Sequence, residues 1–204
     1  LAVRQQGIGS SEAAAAIGLS PYLSPLELWQ QKTGRIPAPD LSDNEAVFWG
    51  STLEPLIAQV YQERSGLRVR RLNAVLQHPE QPFMLANLDR VVEGSGILEI
   101  KTAGWRSAQA WESGVPEAYQ CQVLHQLAVT GRAWADVAAL IAGQEFRVYR
   151  IRRDDDGNEA RIAELIRREG EFWGYVQSDT PPPVDGSASS ARALATLYPS
   201  DSGT

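Results

Sequence analysis

The 204-residue chain has little cysteine, histidine or methionine: one Cys, two His and one Met. The lone Cys121 excludes an internal disulfide framework and a cysteine-rich zinc site, and it suits a reducing cytosol. His78 and His125 have no ligand-like spacing with each other or with Cys121, so both read as structural or surface residues. No apolar run approaches the ~20 residues that a membrane span needs, and no secretory signal pattern is seen. The expected placement is cytoplasmic, with no membrane partner. Basic residues are also in deficit. Nineteen Lys and Arg stand against 25 Asp and Glu, for a net charge of −6. That argues against binding nucleic acid through global charge. The deficit is uneven, because the first 150 residues are close to balanced and the last quarter holds most of the acid excess. A nucleic-acid partner would need a local basic groove, or one formed between subunits.

What is present is an ordinary globular composition, 43% hydrophobic and 22% charged. The length suits one domain with a substantial core. Periodicity predicts helices over 10–18, 24–34 and 44–65, then strands over 67–77, 84–92 and 97–103. A short helix over 105–113 and a longer one over 116–130 follow. Two strands, 134–142 and 145–152, precede a last helix over 158–177. Ser10 or Ser11 is the expected cap of the first helix, and Ser24-Pro25-Leu26-Glu27 is a capping box for the second. Pro55 either kinks the third helix or starts a new segment. This order predicts an α/β (α+β) fold: a central mixed β-sheet flanked by helices. Residues 1–177 are expected to form the single domain. Residues 178–204, rich in Pro, Ser and Gly, read as a tail, of which 191–197 could dock locally.

The chain is organised around ANLDRVVEGSGILEIKT, residues 86–102, which reads as a β-hairpin turning at Glu93-Gly94-Ser95-Gly96. If Val92 faces Gly96, Asp89 lies opposite Glu99, where cross-strand side chains come within ~5 Å. Lys101 then shares the face of Glu99, and Ile100 points the other way into a core. Two carboxylates this close repel each other, and a proton or a cation must relieve them. A divalent ion with oxygen ligands does so, and Mg²⁺ is the usual one beside phosphate. The neighbouring lysine can orient or help deprotonate the attacking water. Together these are the parts of phosphodiester hydrolysis. The spacing alone also fits a solvated hairpin face with an ordinary ion pair. Against that stand the apolar Leu88, Val91, Ile97, Leu98 and Ile100, since charges are rarely placed in buried strands without a partner or a task.

Other polar residues bear on the same chemistry. Glu54 lies among apolar neighbours, as a first-turn acid before Pro55 or as a third acid for the metal site. Tyr119, Gln122 and Gln126 form a stripe on the helix after the hairpin, either an exposed face or amides aimed at the carboxylates. Arg4 precedes Gly7-Ile8-Gly9-Ser10-Ser11, a helix start that could cradle a phosphate, and Arg106 could serve the same phosphate. Trp105 follows the lysine strand closely enough to stack near a substrate.

Four pieces, Arg4 with residues 7–29, and residues 48–66, 86–102 and 119–131, together resemble the YqaJ-type viral recombinase family. That family is the phage lambda exonuclease-like branch of the PD-(D/E)XK nucleases, whose core is restriction-endonuclease-like. The resemblance implies that Asp89, Glu99 and the backbone carbonyl of Ile100 hold the metal, Mg²⁺ or alternatively Mn²⁺. It implies that Lys101 positions or activates the attacking water, that Glu54 is the helix acid of the metal site, and that Gln122 is the active-site glutamine. Arg4, Ser11 and Arg106 would hold a terminal 5′-phosphate, with Ser10 added by its place beside Ser11 in the helix start. The proline usual before the first catalytic acid is absent, since Asn87-Leu88 precede Asp89. The activity implied is 5′→3′ degradation of one strand of linear double-stranded DNA by a homotrimer ring. That leaves a 3′ overhang for a single-strand annealing protein and recombination. An endonuclease, a 3′-acting nuclease and a non-catalytic DNA-end-binding scaffold are the readings set against it.

Overall fold

In a computed structural model of the chain, residues 4–198 are described. Two sheets carry the fold. The larger has five strands in the order β2 (Val69–Arg70), β5 (Arg90–Val92), β6 (Gly96–Ala103), β7 (Trp134–Ile141) and β8 (Glu145–Arg152). The β6–β7 pairing is parallel and the other three are antiparallel, so the sheet is mixed. The smaller sheet orders β1 (Ile8–Gly9), β4 (Met84–Ala86) and β3 (Leu76–Gln77).

The hairpin of β5 and β6 has the register expected from its sequence, with Val92 opposite Gly96 and Arg90 opposite Leu98. Gly94 and Ser95 turn it at φ of 73° and 66°, a left-handed pair that glycine makes cheap. Gly96 is required for packing: a Cβ there would stand 2.4 Å from the Trp134 ring. Alternation along β6 then sorts its side chains. Leu98 and Ile100 join Ile57, Ala58 and Tyr61 of α3 (Glu45–Ser65) on one face. Ile97 joins Val123, Leu124 and Leu127 of α4 (Glu117–Thr130) on the other. Each buried Leu, Ile or Val contributes roughly 1.5–3 kcal/mol of burial, so the two helices clamp the sheet from both sides. Pro55 lies within one continuous α3 rather than dividing it.

Around α1 (Ala13–Ala16), α2 (Pro25–Lys32) and α5 (Asn158–Gln177) a second core forms from Ile8, Leu26, Leu28, Trp29 and Phe172. The Pro/Ser/Gly-rich stretch carries α6 (Ala188–Leu197). It docks on α2, where Ser189 Oγ accepts from Ser24 N at 2.8 Å and Gln30 Nε2 donates to Ala193 O at 2.8 Å.

Three expectations are corrected. The stretch 67–77 is two short strands in different sheets, and 84–92 divides into β4 and β5, again in different sheets. The division falls at Asn87-Leu88-Asp89. There the Asp89 carboxylate, not a backbone carbonyl, accepts the Ile100 N–H at 2.8 Å, so the ladder ends. Neither Ser10 nor Ser11 caps the first helix. A 3₁₀ turn, Ser10–Glu12, precedes α1, and the Glu12 carboxylate closes back on Gly9 N–H at 2.8 Å. The unexpected strand β1 pairs parallel with β4. Gly7 permits this approach, because a Cβ there would lie 2.5 Å from Phe83 O.

Candidate active site

Where β5 leaves β6, the sheet presents a carboxylate pair. Glu99 points to the α4 face and is buried, 3% exposed. Its Oε1 accepts from Lys101 Nζ at 2.7 Å and from Gln122 Nε2 at 2.7 Å. Its Oε2 accepts from Gln126 Nε2 at 2.6 Å. Lys101 also donates to Gln122 Oε1 at 3.0 Å, and its ammonium lies 4.7 Å from the Tyr119 ring centroid. The polar stripe of α4 is therefore not an exposed face. Its amides fix the Glu99 carboxylate and leave the ammonium aimed along the pair.

Asp89 anchors one oxygen, Oδ2, on the Ile100 N–H. Burial first, and the charge of Glu99 second, push its carboxyl up to about 7. Lys101 feels opposing influences: burial is the largest and lowers its pKa, but the Glu99 carboxylate with the Asp89 charge raises it on balance, and the ammonium stays charged. One ammonium thus faces two carboxylates, and a further cation or a proton has to complete the neutralisation. Residues in a strand send N–H and C=O to the same edge, so the Ile100 carbonyl faces the side from which Asp89 receives its N–H. Two carboxylates and a carbonyl are hard oxygen donors, the set that suits Mg²⁺ or Mn²⁺. Among the described residues no three His, Cys, Asp or Glu side chains gather as a metal cluster. The donor set is the acid pair with backbone and solvent.

Two cavities meet at Asp89. One, of about 190 Å³, is lined by Ser10, Ser11, Asn87, Asp89, Glu99 and Gln122. The other, of about 390 Å³, is lined by Glu54, Arg71, Asn73, Asn87 and Asp89. Glu54 reaches this region from α3 and is held by Arg90 Nη1 in a short ion pair. It shares a cavity with Asp89 but not with Glu99. Ser10 and Ser11 line the first cavity together with both carboxylates. Arg106 is not: it is exposed, its guanidinium lies over the Trp105 ring at 4.8 Å, and it lines neither cavity. The side chain of Arg4 lies outside the described residues.

Sequence reasoning passed over Arg90, which alternation puts on the α3 face opposite Leu98 and so within reach of Glu54. It also passed over Arg71, which no periodicity marks. His125 is a buried structural residue, with Nδ1 2.8 Å from Glu169 Oε1 and Nε2 2.9 Å from Leu85 O. Cys121 is buried, and burial pushes its thiol up to about 12, so it is an inert core residue.

A mixed sheet clamped by helices, with an acid pair and a lysine at a strand divergence, defines a restriction-endonuclease-like fold. The chain belongs to the YqaJ-like viral recombinase domain family, which matches residues 1–133. It is 40% identical over 200 residues to an uncharacterized protein, YqaJ, of Bacillus subtilis (strain 168), covering 96% of this chain and 61% of that one. The chain thus spans about three fifths of that relative's length. Among solved structures it is similar to the alkaline exonuclease LHK-Exo of Laribacter hongkongensis. The TM-score is 0.71 at 24% identity, over 87% of this chain and 91% of that one. It is also similar to a phage-related exonuclease from Haemophilus somnus 129PT. There the TM-score is 0.62 at 14% identity, over 85% and 96% of the two chains. No helix among the described residues is long and apolar enough to cross a membrane.

Proposed function

We propose that the chain is a Mg²⁺-dependent deoxyribonuclease that degrades one strand of linear double-stranded DNA from its 5′ end. The observation that carries the reading is the juncture of Asp89, Glu99 and Lys101. A buried Glu99 and a half-buried Asp89 share one ammonium, 2.7 Å from Glu99, at the meeting of two cavities. Family membership and the exonuclease-like fold support it. Asp89, Glu99 and the Ile100 carbonyl would hold the ion, Mg²⁺ or alternatively Mn²⁺. When bound, it supplies charge neutralisation for the acid pair and for the scissile phosphate.

The rest is work for the chain's own side chains. Gln122 accepts from Lys101 and donates to Glu99, which fixes the ammonium where it would orient a water approaching the phosphate and stabilise the negative charge that develops there. Gln126 holds the other Glu99 oxygen, so the carboxylate keeps one orientation. Glu54, steadied by Arg90, adds negative charge on the second cavity. Ser10 and Ser11, with Arg4, take the terminal 5′-phosphate, and Arg106, which lines neither cavity, stands outside that pocket. The product is a duplex with a 3′ overhang, ready for a single-strand annealing protein in recombination. A homotrimer ring in the cytoplasm would gather basic surface around the DNA while the outside stays acidic.

The test uses linear duplex DNA with one 5′ end phosphorylated and one 3′ end labelled, beside a closed circle, in Mg²⁺. The expected result is loss of the 5′-phosphorylated strand alone, with the circle untouched. Cutting of the circle would move the assignment to an endonuclease, and loss from 3′ ends would reverse the polarity. Binding without any cutting would leave a DNA-end scaffold.

A further inference from the structure

The second cavity at Asp89 contains a cation that the proposed chemistry does not use. Arg71 lines it with Glu54, Asn73, Asn87 and Asp89. It is exposed, and among the described residues its guanidinium has no ion pair, hydrogen bond or ring partner. It ends a run, Arg68-Val69-Arg70-Arg71, in which all three arginines are exposed and none is in an ion pair among the described residues. The arginines of β8 and the turn after it behave differently. Arg147, Arg150, Arg152 and Arg153 each hold a carboxylate within 2.8 Å. In a chain of net charge −6, a cluster of exposed guanidinium groups without ion pairs at one sheet edge is a local basic patch open to an external anion.

Placement says which anion. The two cavities share Asp89 and Asn87, so a strand whose terminal phosphate lies by Ser10 and Ser11 passes the acid pair and continues into the Arg71 side. A planar guanidinium suits a phosphate diester, which it meets with two donors. Arg70, one residue back on the edge strand β2 opposite Val91, extends the same basic edge.

We infer that Arg71 binds a backbone phosphate of the strand being degraded, on the 3′ side of the cleavage point, and positions that strand across the acid pair. The inference rests on the proposed nuclease reading and adds a positioning residue to it. Arg71 touches neither the reacting phosphate nor the attacking water, so its loss weakens DNA binding more than it slows chemistry.

The experiment measures binding of a labelled, 5′-phosphorylated linear duplex by fluorescence anisotropy over a salt series. It uses Lys101→Ala as the background to suppress cutting, with Arg71→Ala, Arg71→Lys and Arg192→Ala added singly. Arg192, on α6 against Glu27, controls for the loss of one positive charge. The expected result is roughly tenfold weaker binding for Arg71→Ala, with a log K against log salt slope shallower by about one. Arg71→Lys recovers most of the slope, and Arg192→Ala matches the background. Arg71→Ala binding with the affinity and slope of Arg192→Ala would overturn the inference. The wild-type protein is assayed in parallel for nucleotide release. No release with the Arg71 effect intact defeats the nuclease reading and the cleavage-point part of the inference, and only the phosphate contact of Arg71 stands, whereas no DNA binding by the background defeats both.

Discussion

Adjacent strands β6 and β7 each bury one carboxylate, and the two are equally hidden: Glu99 and Asp136 are both 3% exposed. They face opposite sides of the sheet, because Asp136 pairs with Leu98 in the parallel register and follows it toward α3. Asp136 is fully answered. It accepts the Tyr61 hydroxyl at 2.6 Å, and Arg150 grips both of its oxygens at 2.8 and 2.7 Å. Arg150 in turn lies over the Trp134 ring at 4.0 Å. Burial and the Asp136 carboxylate push the Tyr61 hydroxyl pKa up, so the proton stays in the bond. The Arg150 guanidinium balances the Asp136 charge. Glu99 has as many hydrogen bonds but shares its one ammonium with Asp89, and it opens on a cavity. Burial by itself does not distinguish the two sites. The surplus negative charge and the open cavity do, and they make Asp136 a brace and Glu99 a candidate for chemistry.

The contrast breaks most sharply in activity. Lys101→Ala lowers nucleotide release on the order of 10²–10⁴-fold. Its circular dichroism in Mg²⁺ stays that of the wild type, which steady-state kinetics and spectra check together. The next effect belongs to stability. Asp136→Ala leaves the Tyr61 hydroxyl buried without its acceptor and Arg150 without its acid. It costs about 3 kcal/mol in urea denaturation, while the folded fraction cleaves within about twofold of wild type. Large loss of activity with full stability for Asp136→Ala would erase the distinction.

A third prediction concerns pH. In metal-free protein the native Asp89 carboxyl, raised to about 7, keeps its proton where the unfolded one has lost it. The native state binds more protons between about pH 4 and 7, so stability falls as pH rises through that window. The slope from this group is roughly 1.4 kcal/mol per pH unit. Melting in a chelator shows the slope, and saturating Mg²⁺ flattens it. Asp89→Asn removes the slope without metal, and Asp136→Asn does not. The smallest effect is that of Gln126→Ala, which frees one Glu99 oxygen. It costs about 1 kcal/mol and lowers kcat less than tenfold.

The hairpin was legible because its information is local. Turn glycines set the register, and alternation then sent Glu99 and Lys101 one way and Ile100 the other. The stripe of Gln122 and Gln126 was visible as a pattern, but its direction depended on which face of the sheet α4 covers. The small sheet was not legible. Its two- and three-residue strands show no period, and the β1–β4 pairing joins residues far apart in sequence. The first helix start misled, because Glu12 displaced the serines as the group closing on Gly9. In α6, Ser187, Ser189 and Ser190 gave a linker-like composition. Ser187 caps the helix, while Ser189 and Ser190 are buried in hydrogen bonds to Ser24 and Asp185. Composition does not distinguish a solvated serine from a satisfied buried one. Arg71 was silent because only tertiary structure brings its loop beside Asp89.

The most direct measurement is nucleotide release from 5′-phosphorylated linear duplex DNA by the wild-type protein and by Lys101→Ala, each with Mg²⁺ and with chelator. The account predicts release by the wild type in Mg²⁺ alone, and none above background from Lys101→Ala. Equal release by the two proteins, or release undiminished by chelator, would contradict it.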